Sequence, residues 1–354
     1  MRKDPRKKPK GRGTKLQLDN RFEKLSYEND PEFNQNVEEE EDKPTNYQQI
    51  HPKGILNKID SPDIGFNWGM NPYQGCEHGC IYCYARITHE YWGYNPGLDF
   101  EKQILVKPDA PSLLRERLRS KGWKGETIML SGNTDCYQPV ERKLKITRAI
   151  LEVCAEHDQS LGMITKNALV TRDIDILREM AKKQLVSVSM SITSKNETLR
   201  RLLEPRTSTF RSKMKAVEEL SKAGIPVNLM MAPIIPGMNS HEIMDIARIG
   251  REAGAIGFHY TTIRLSGPIR LLFEDWLEEH YPDRKNKVMN QIMGLHGGKT
   301  NGSEFGTRMK GKGNVSDIIR QQVQLARKKF SYTDQEFVLN TSLFRRRPDQ
   351  LSLF

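Results

Sequence analysis

The sequence predicts an α/β fold, an open or partial barrel of six βα units, and two observations carry that prediction. From Ile64 onward, short apolar runs rich in β-formers alternate with amphipathic segments, the pattern of a parallel sheet crossed by helices. The amphipathic segments have helical spacing and helical stops: in the stretch 210–224, Met214, Val217 and Leu220 recur on one face and Gly224 can end the helix. In folds of this kind functional groups gather at the C-terminal ends of the strands.

Taken in order, residues 1–50 hold a basic run, RKDPRKKPKGRG, and an acidic run, Glu38 to Asp42, with few apolar residues to build a core. They are expected to be a disordered arm, serving either as a solubilising tail or as a phosphate-binding arm. Residues 51–267 are the expected core, with strands near 64–68 and at 126–131, 161–165, 185–193, 225–234 and 255–263. Residues 268–340 read as a helical extension. It is broken by a loop rich in glycine and basic residues at 296–314, and a helix is expected from Val315 to Phe330. Residues 341–354 read as an extended tail.

The 354 residues carry 56 Lys and Arg against 45 Asp and Glu, a formal charge of +11, which suits a polyanionic partner better than a cationic one. No run approaches the roughly 18 apolar residues of a membrane span, and the basic start is not followed by a signal-peptide core, so a cytoplasmic protein is expected. Five cysteines, an odd number with three clustered, fit a metal or cofactor site better than a disulfide framework.

The cluster is GCEHGCIYCYAR, Gly75 to Arg86, which spaces Cys76, Cys80 and Cys83 as C-x3-C-x2-C. A 4Fe-4S cluster has four iron corners, so three thiolates leave one iron open for a small-molecule ligand. The competing reading is a closed structural zinc site with His78 or His89 as fourth ligand.

Three such cysteines followed by an aromatic residue and by βα units resemble the radical S-adenosylmethionine superfamily. Within it, the chain resembles the spore photoproduct lyase-related branch from Asn71 to Asn239. The matching pieces are NPYQGCEHGCIYCYAR, SGNTDCYQPVE, TKN at 165–167, SMSITS at 189–194, LEPRTS at 203–208 and APIIPG at 232–237. GRG at 11–13, FEDWLEEHYPDRKNKV and the glycine-rich loop resemble a subgroup of that branch distinct from the lyase itself. The resemblance implies a radical SAM partial (β/α)6 barrel and an enzyme, with lyase- or oxidoreductase-like chemistry. It also implies a 4Fe-4S cluster on Cys76, Cys80 and Cys83, and S-adenosylmethionine split by one electron to a 5′-deoxyadenosyl radical.

Cofactor contacts are expected from several loops. Thr134 and Asp135, after the run Ile128 to Leu130, should project at the barrel mouth toward the cofactor amine, or else form a turn and helix cap. Lys166 and Ser191 can meet the cofactor carboxylate or ribose, the alternatives being an exposed charge and a satisfied strand hydroxyl. Glu204 and Arg206 can pair with each other or reach the cofactor, and of Tyr82 and Tyr84, which flank Cys83, one should pack on the cluster or adenine. In the lyase a cysteine just after the position matching Ser131 donates a hydrogen atom. Here Gly132 stands there, and Cys136 is the candidate donor, with a packing thiol as the alternative. Cys154 shares a helical face with Leu144, Thr147 and Leu151 and reads as core.

Lys299, Arg308, Lys310 and Lys312 in the glycine-rich loop can clamp nucleic-acid phosphates. The final pentapeptide, with Gln350, Leu351, Leu353 and Phe354, resembles the motif by which bacterial repair proteins dock on the sliding clamp. The expected function is radical chemistry on nucleic acid in a DNA-repair setting, served by an electron-donor protein. The alternatives are RNA, protein or a small metabolite as substrate, or a non-catalytic zinc or cluster module.

Overall fold

The computed structural model describes residues 11–22, 44–332 and 337–346. Ten strands run in chain order: β1 (Asn46–Gln49), β2 (Leu56–Lys58), β3 (Trp68–Met70), β4 (Tyr73–Gln74), β5 (Gln103–Val106), β6 (Ile128–Leu130), β7 (Leu161–Thr165), β8 (Val186–Ile192), β9 (Val227–Ile234) and β10 (Gly257–Thr262). Seven form the main sheet in the order β10-β9-β8-β7-β6-β3-β2. The six strands β3, β6, β7, β8, β9 and β10 are parallel and consecutive, and β2 adds an antiparallel edge. This is the partial (β/α)6 barrel expected from the sequence. A small sheet, β1-β5-β4, lies beside it.

Side-chain alternation explains why the sheet has two unlike faces. In β8, Val186, Val188, Met190 and Ile192 are buried in the main core, while Ser187, Ser189 and Ser191 take the other face. The core side is covered by helices such as Ile146–Glu156, Phe210–Lys222 and Ile243–Glu252, whose buried residues recur at helical spacing. On the opposite face the register lines up Gly69, Met129, Gly162 and Ser187 in one row. It lines up Ile164, Ser189, Asn228 and Gly257 in the next. These rows mix glycine, serine and asparagine with Met129 and Ile164. Phe66 lies against this face at Gly162, where a Cβ would stand 2.8 Å from its ring.

The first strand is shorter and later than expected, since Ile64 is 40% exposed and pairing begins at Trp68. The other five start within two residues of the expected positions, β7 at the expected Leu161. Strand β1, exposed and polar, and β2, with only Leu56 packed on the core, carry no apolar alternation and were not anticipated.

The disordered arm is corrected in part. Residues 11–22 include the buried Arg12, Thr14, Leu16 and Asn20, and β1 pairs in parallel with β5. Helices Pro268–His280 and Lys285–Leu295 build a second core in which Leu272, Phe273 and Trp276 meet Leu16, Ile81, Tyr82 and Leu203. The helical extension therefore supports the cysteine loop from behind. The last helix is Asn314–Lys329, close to expectation. Phe344 packs on Gly125 and the Arg345 N–H donates to the His157 carbonyl at 2.8 Å, so the chain is docked up to residue 346. The basic run up to residue 10, Glu38 to Asp42, and the clamp-like Gln350, Leu351, Leu353 and Phe354 lie outside the described residues. Among the described residues no helix is long and apolar enough to cross a membrane.

Candidate active site

Cys76, Cys80 and Cys83 lie on one loop between β4 and the 3-10 helix Tyr84–Trp92. The loop is held by its backbone: Cys76 N–H donates to Phe100 O at 2.8 Å and Ile81 N–H to Leu203 O at 3.0 Å. Gly75 and Gly79 have positive φ, and a side chain on Gly75 would lie 2.7 Å from the Gln103 carbonyl. Burial pushes all three thiols up. The Asp135 carboxylate and the neighbouring thiols add to the shift at Cys76, and Glu204 adds to it at Cys80. Three thiolates packed here need compensating positive charge, and iron in a sulfide cage supplies it with the soft metal that thiolate prefers. The donor set thus fits a 4Fe-4S cluster with one iron left open. Of the two histidines weighed for zinc, His89 stacks on Tyr94 and meets Phe100 edge-on, while His78 sits 3.3 Å from Asp135.

Burial pushes His89 down from 6.5 to about 4, so it folds neutral. The unfolded chain binds the proton first as pH drops, and stability present above pH 6.5 is lost as pH falls toward 4. The loss from this group is about 3 kcal/mol. His89→Asn should flatten that part of the curve of unfolding free energy against pH, and a curve of unchanged slope between pH 6.5 and 4 would refute the assignment.

Residues 11–22 cross the outside of the cysteine loop. Gly13 packs so tightly that a Cβ would lie 1.9 Å from the Gly79 carbonyl oxygen. Its N–H donates to Glu101 Oε2 at 2.8 Å, while Arg86, from the cysteine segment, donates to Glu101 Oε1 at 2.6 Å. Arg86 and Glu101 are both fully buried. Glu77, inside the C-x3-C spacing, accepts from Arg206 at 3.1 Å, Tyr47 at 3.0 Å and Thr45 at 3.1 Å.

Glu204, fully buried, is the centre of the polar site. It pairs with Lys166 Nζ at 2.8 Å and Lys213 Nζ at 3.3 Å, and it accepts from the Tyr82 and Thr193 hydroxyls. Burial alone would raise its carboxyl, but Lys166 and Lys213 hold it well below the usual range. Burial likewise opposes charge on Lys166, and Glu204 outweighs it, so the lysine stays protonated. Lys166 Nζ also donates to Ser191 Oγ at 2.9 Å. Tyr82, Lys166, Ser191 and Glu204, expected separately, are thus one network at the C-terminal ends of β7 and β8.

Other expectations need correction. Glu204 and Arg206 do not pair: Arg206 turns outward to Glu77 and to the Gly11 carbonyl. Thr134 is buried and its hydroxyl donates to Tyr73 O at 2.7 Å, so it braces the loop rather than projecting at the mouth. Asp135 accepts from Lys166 N–H at 2.7 Å and from the Thr165 hydroxyl at 2.7 Å, a bracing role too. Cys136 does not face the mouth: it is wholly buried in the main core with Tyr73, Tyr137 and Ile150. In the glycine-rich loop Arg308 is committed to Asp63 and to Ser61 Oγ, leaving it no free fork for phosphate. Lys312 pairs with Glu304, but both are exposed and the pair exchanges readily with solvent. Lys299 is exposed and Lys310 lies 6.0 Å over the Tyr260 ring.

Sequence reasoning missed Lys213, Thr193, Glu77 and the Arg86–Glu101 pair. Lys213 carried a signal, since it sits on the same helical stripe as Val217 and Leu220, where a lysine needs a buried partner.

Residues 70–249 match the family model described as the radical SAM superfamily. An uncharacterised protein of Mycobacterium tuberculosis is 34% identical over 241 residues, covering 67% of this chain and 71% of the relative. Spore photoproduct lyase complexed with dinucleoside spore photoproduct has a similar fold, with a TM-score of 0.57 at 16% identity over 80% of this chain and 79% of that one. A mutant of the same lyase with bound S-adenosylmethionine and dinucleoside spore photoproduct gives a TM-score of 0.55, also at 16% identity, over 80% of this chain and 79% of that one.

Proposed function

The chain belongs to the radical SAM superfamily, and from that premise we propose that Cys76, Cys80 and Cys83 hold a 4Fe-4S cluster whose open iron takes S-adenosylmethionine, and that the substrate is a nucleic acid. The observation that carries the first part is three cysteines on one loop, Cys76 and Cys80 buried and Cys83 partly so, beside a charged lysine held at the strand ends by Glu204. When bound, the cluster and S-adenosylmethionine supply reductive cleavage to a 5′-deoxyadenosyl radical. The chain's own residues prepare the place. Glu204 keeps Lys166 protonated, and the ammonium is further held by the Ala232 carbonyl at 3.0 Å. Ser191 orients the Lys166 ammonium, and Asp135 fixes the lysine's backbone.

The nucleic-acid part rests on the charge of +11, on the basic loop with Lys299 and Lys310, and on likeness of fold to a lyase complexed with a dinucleoside spore photoproduct. A DNA-repair setting follows by analogy of fold. The test is anaerobic reconstitution with iron and sulfide, reduction, and assay of 5′-deoxyadenosine with damaged DNA, intact DNA and RNA. Wild type should form it, Cys83→Ala should fall to background, and nucleic acid should raise the yield. Tightly bound zinc without iron would overturn the cluster, and a yield indifferent to DNA and RNA would overturn the substrate.

A further inference from the structure

Exposure alternates with the pleat along the parallel strands. In β8 and β9, Val188, Met190, Leu229 and Met231 are buried, while Ser187, Ser189, Asn228 and Met230 are partly exposed. The buried set packs under the covering helices, so the exposed set borders an interior that solvent enters. Toward the C-terminal ends of the strands, the next inward row is Ser191, Met230 and His259. Ser191 holds the Lys166 ammonium at one end of this row. His259, partly exposed, stands at the other end, two strand spacings or about 10 Å along the sheet. Among the described residues facing inward on the six parallel strands, His259 carries the one ionisable side chain.

The imidazole has a prepared seat. Gly257 lies one row below, and a Cβ there would stand 2.2 Å from Asn228 Oδ1 and 2.9 Å from His259 Nε2. The missing side chain gives Nε2 its place above the Gly257 backbone. Asn228 is itself fixed, since its Nδ2 donates to Ser187 Oγ at 3.1 Å. The strand is pinned just beyond the site, where the Thr262 N–H donates to Met309 O at 2.9 Å and the Ile263 N–H to Ile234 O at 3.0 Å. Packing alone does not call for an imidazole on a wetted wall of small uncharged residues. A ligand with a polar edge does, because a few fixed polar groups are what orient it.

We propose that His259 is a substrate-contacting residue whose Nε2–H donates to a carbonyl oxygen of a nucleobase held over Met230, between the imidazole and the Lys166–Ser191 end of the row. This rests on the nucleic-acid reading above and narrows it to a base presented edge-on inside the barrel.

The test uses the reconstituted full chain with S-adenosylmethionine and two single-stranded oligonucleotides. One is of thymine, whose ring carries carbonyl oxygens, and the other of adenine, which has none. His259→Leu should weaken binding of the thymine strand about tenfold, the worth of one hydrogen bond, and leave the adenine strand as it was. His259→Gln keeps a donor near the Nε2 position and should recover most of the loss. The slope of log affinity against log salt should stay the same in both variants, because no phosphate is involved. Equal losses for the two strands, no loss for thymine, or a loss of S-adenosylmethionine affinity in its place overturns the assignment. A wild type that binds neither strand ends the nucleic-acid reading and the base contact with it. The interior site is then decided by diethyl pyrocarbonate, which acylates accessible imidazoles, with His51 as the exposed reference and His157 as the buried one. A rate for His259 between those two upholds an open interior with His259 on its wall, and a rate as low as that of His157 overturns it.

Discussion

Glu204→Gln should cost about 3–5 kcal/mol of unfolding free energy at neutral pH, because it strands buried positive charge. The carboxylate is fully buried and answers Lys166 and Lys213, the latter also fully enclosed. Gln keeps the size and loses the charge, leaving two ammonium groups beside each other. Burial and the Lys166 charge already depress Lys213, so the variant's lysine sheds its proton more readily, which limits the loss. Glu204→Gln with Lys213→Met should recover part of the stability, since apolar packing replaces an ion pair at little cost. Acid adds a second signature. The native carboxylate is held below its unfolded value of 4.5, so its stabilisation is complete above that pH and lost as pH falls below it. Glu204→Gln should lack that component. Denaturant titrations from pH 7 to pH 3 measure both effects, and a variant as stable as wild type at pH 7 would remove Glu204 from the centre of the site.

Glu101→Gln should be comparably severe, about 3–5 kcal/mol, for a related reason. Oε1 accepts from Arg86 and Oε2 from the Gly13 N–H, so both oxygens are used. A glutamine amide can present one oxygen only, and its NH2 would face a second donor. The consequence reaches further than stability, because this carboxylate joins the residue 11–22 segment to the cysteine loop. Limited proteolysis should cut near Gly13 sooner in the variant, and reconstituted protein should lose iron to a chelator faster. Wild-type rates for both would show that the segment is held by its other contacts, among them the packing of Leu16 in the second core.

The parts of this protein that were legible beforehand are those written in short range. Alternation in SVSMSI marks β8, and helical spacing of Val217 and Leu220 marks the helix that covers it. The three cysteines fall within eight residues, so a shared ligand could be expected from their spacing without any knowledge of the fold. Strand β1 was illegible for the converse reason. NYQQ is exposed at every position and forms a strand only because β5 offers it an edge.

The site followed the same division. That Lys166 and Ser191 sit at strand ends is a matter of local pattern, and Glu204 follows the helix Glu197–Leu203. That one buried carboxylate gathers Tyr82, Lys166, Thr193 and Lys213 is a matter of which chain segments meet, and those four are spread over more than a hundred positions. Cys136 shows the limit most plainly, since sequence placed it in a mouth loop and the turn at Ser131 to Asp135 directs it into the core. Repeats of two and 3.6 residues and the cysteine spacing are properties of neighbouring residues, and they pointed to the α/β fold and to a metal or cofactor site, while the chemistry came from the family resemblance. Close packing such as Gly13 against Gly79, and partners for buried charge such as Glu101 for Arg86, were decided by the packed structure, because Coulomb and contact energies depend on distance in space and not along the chain.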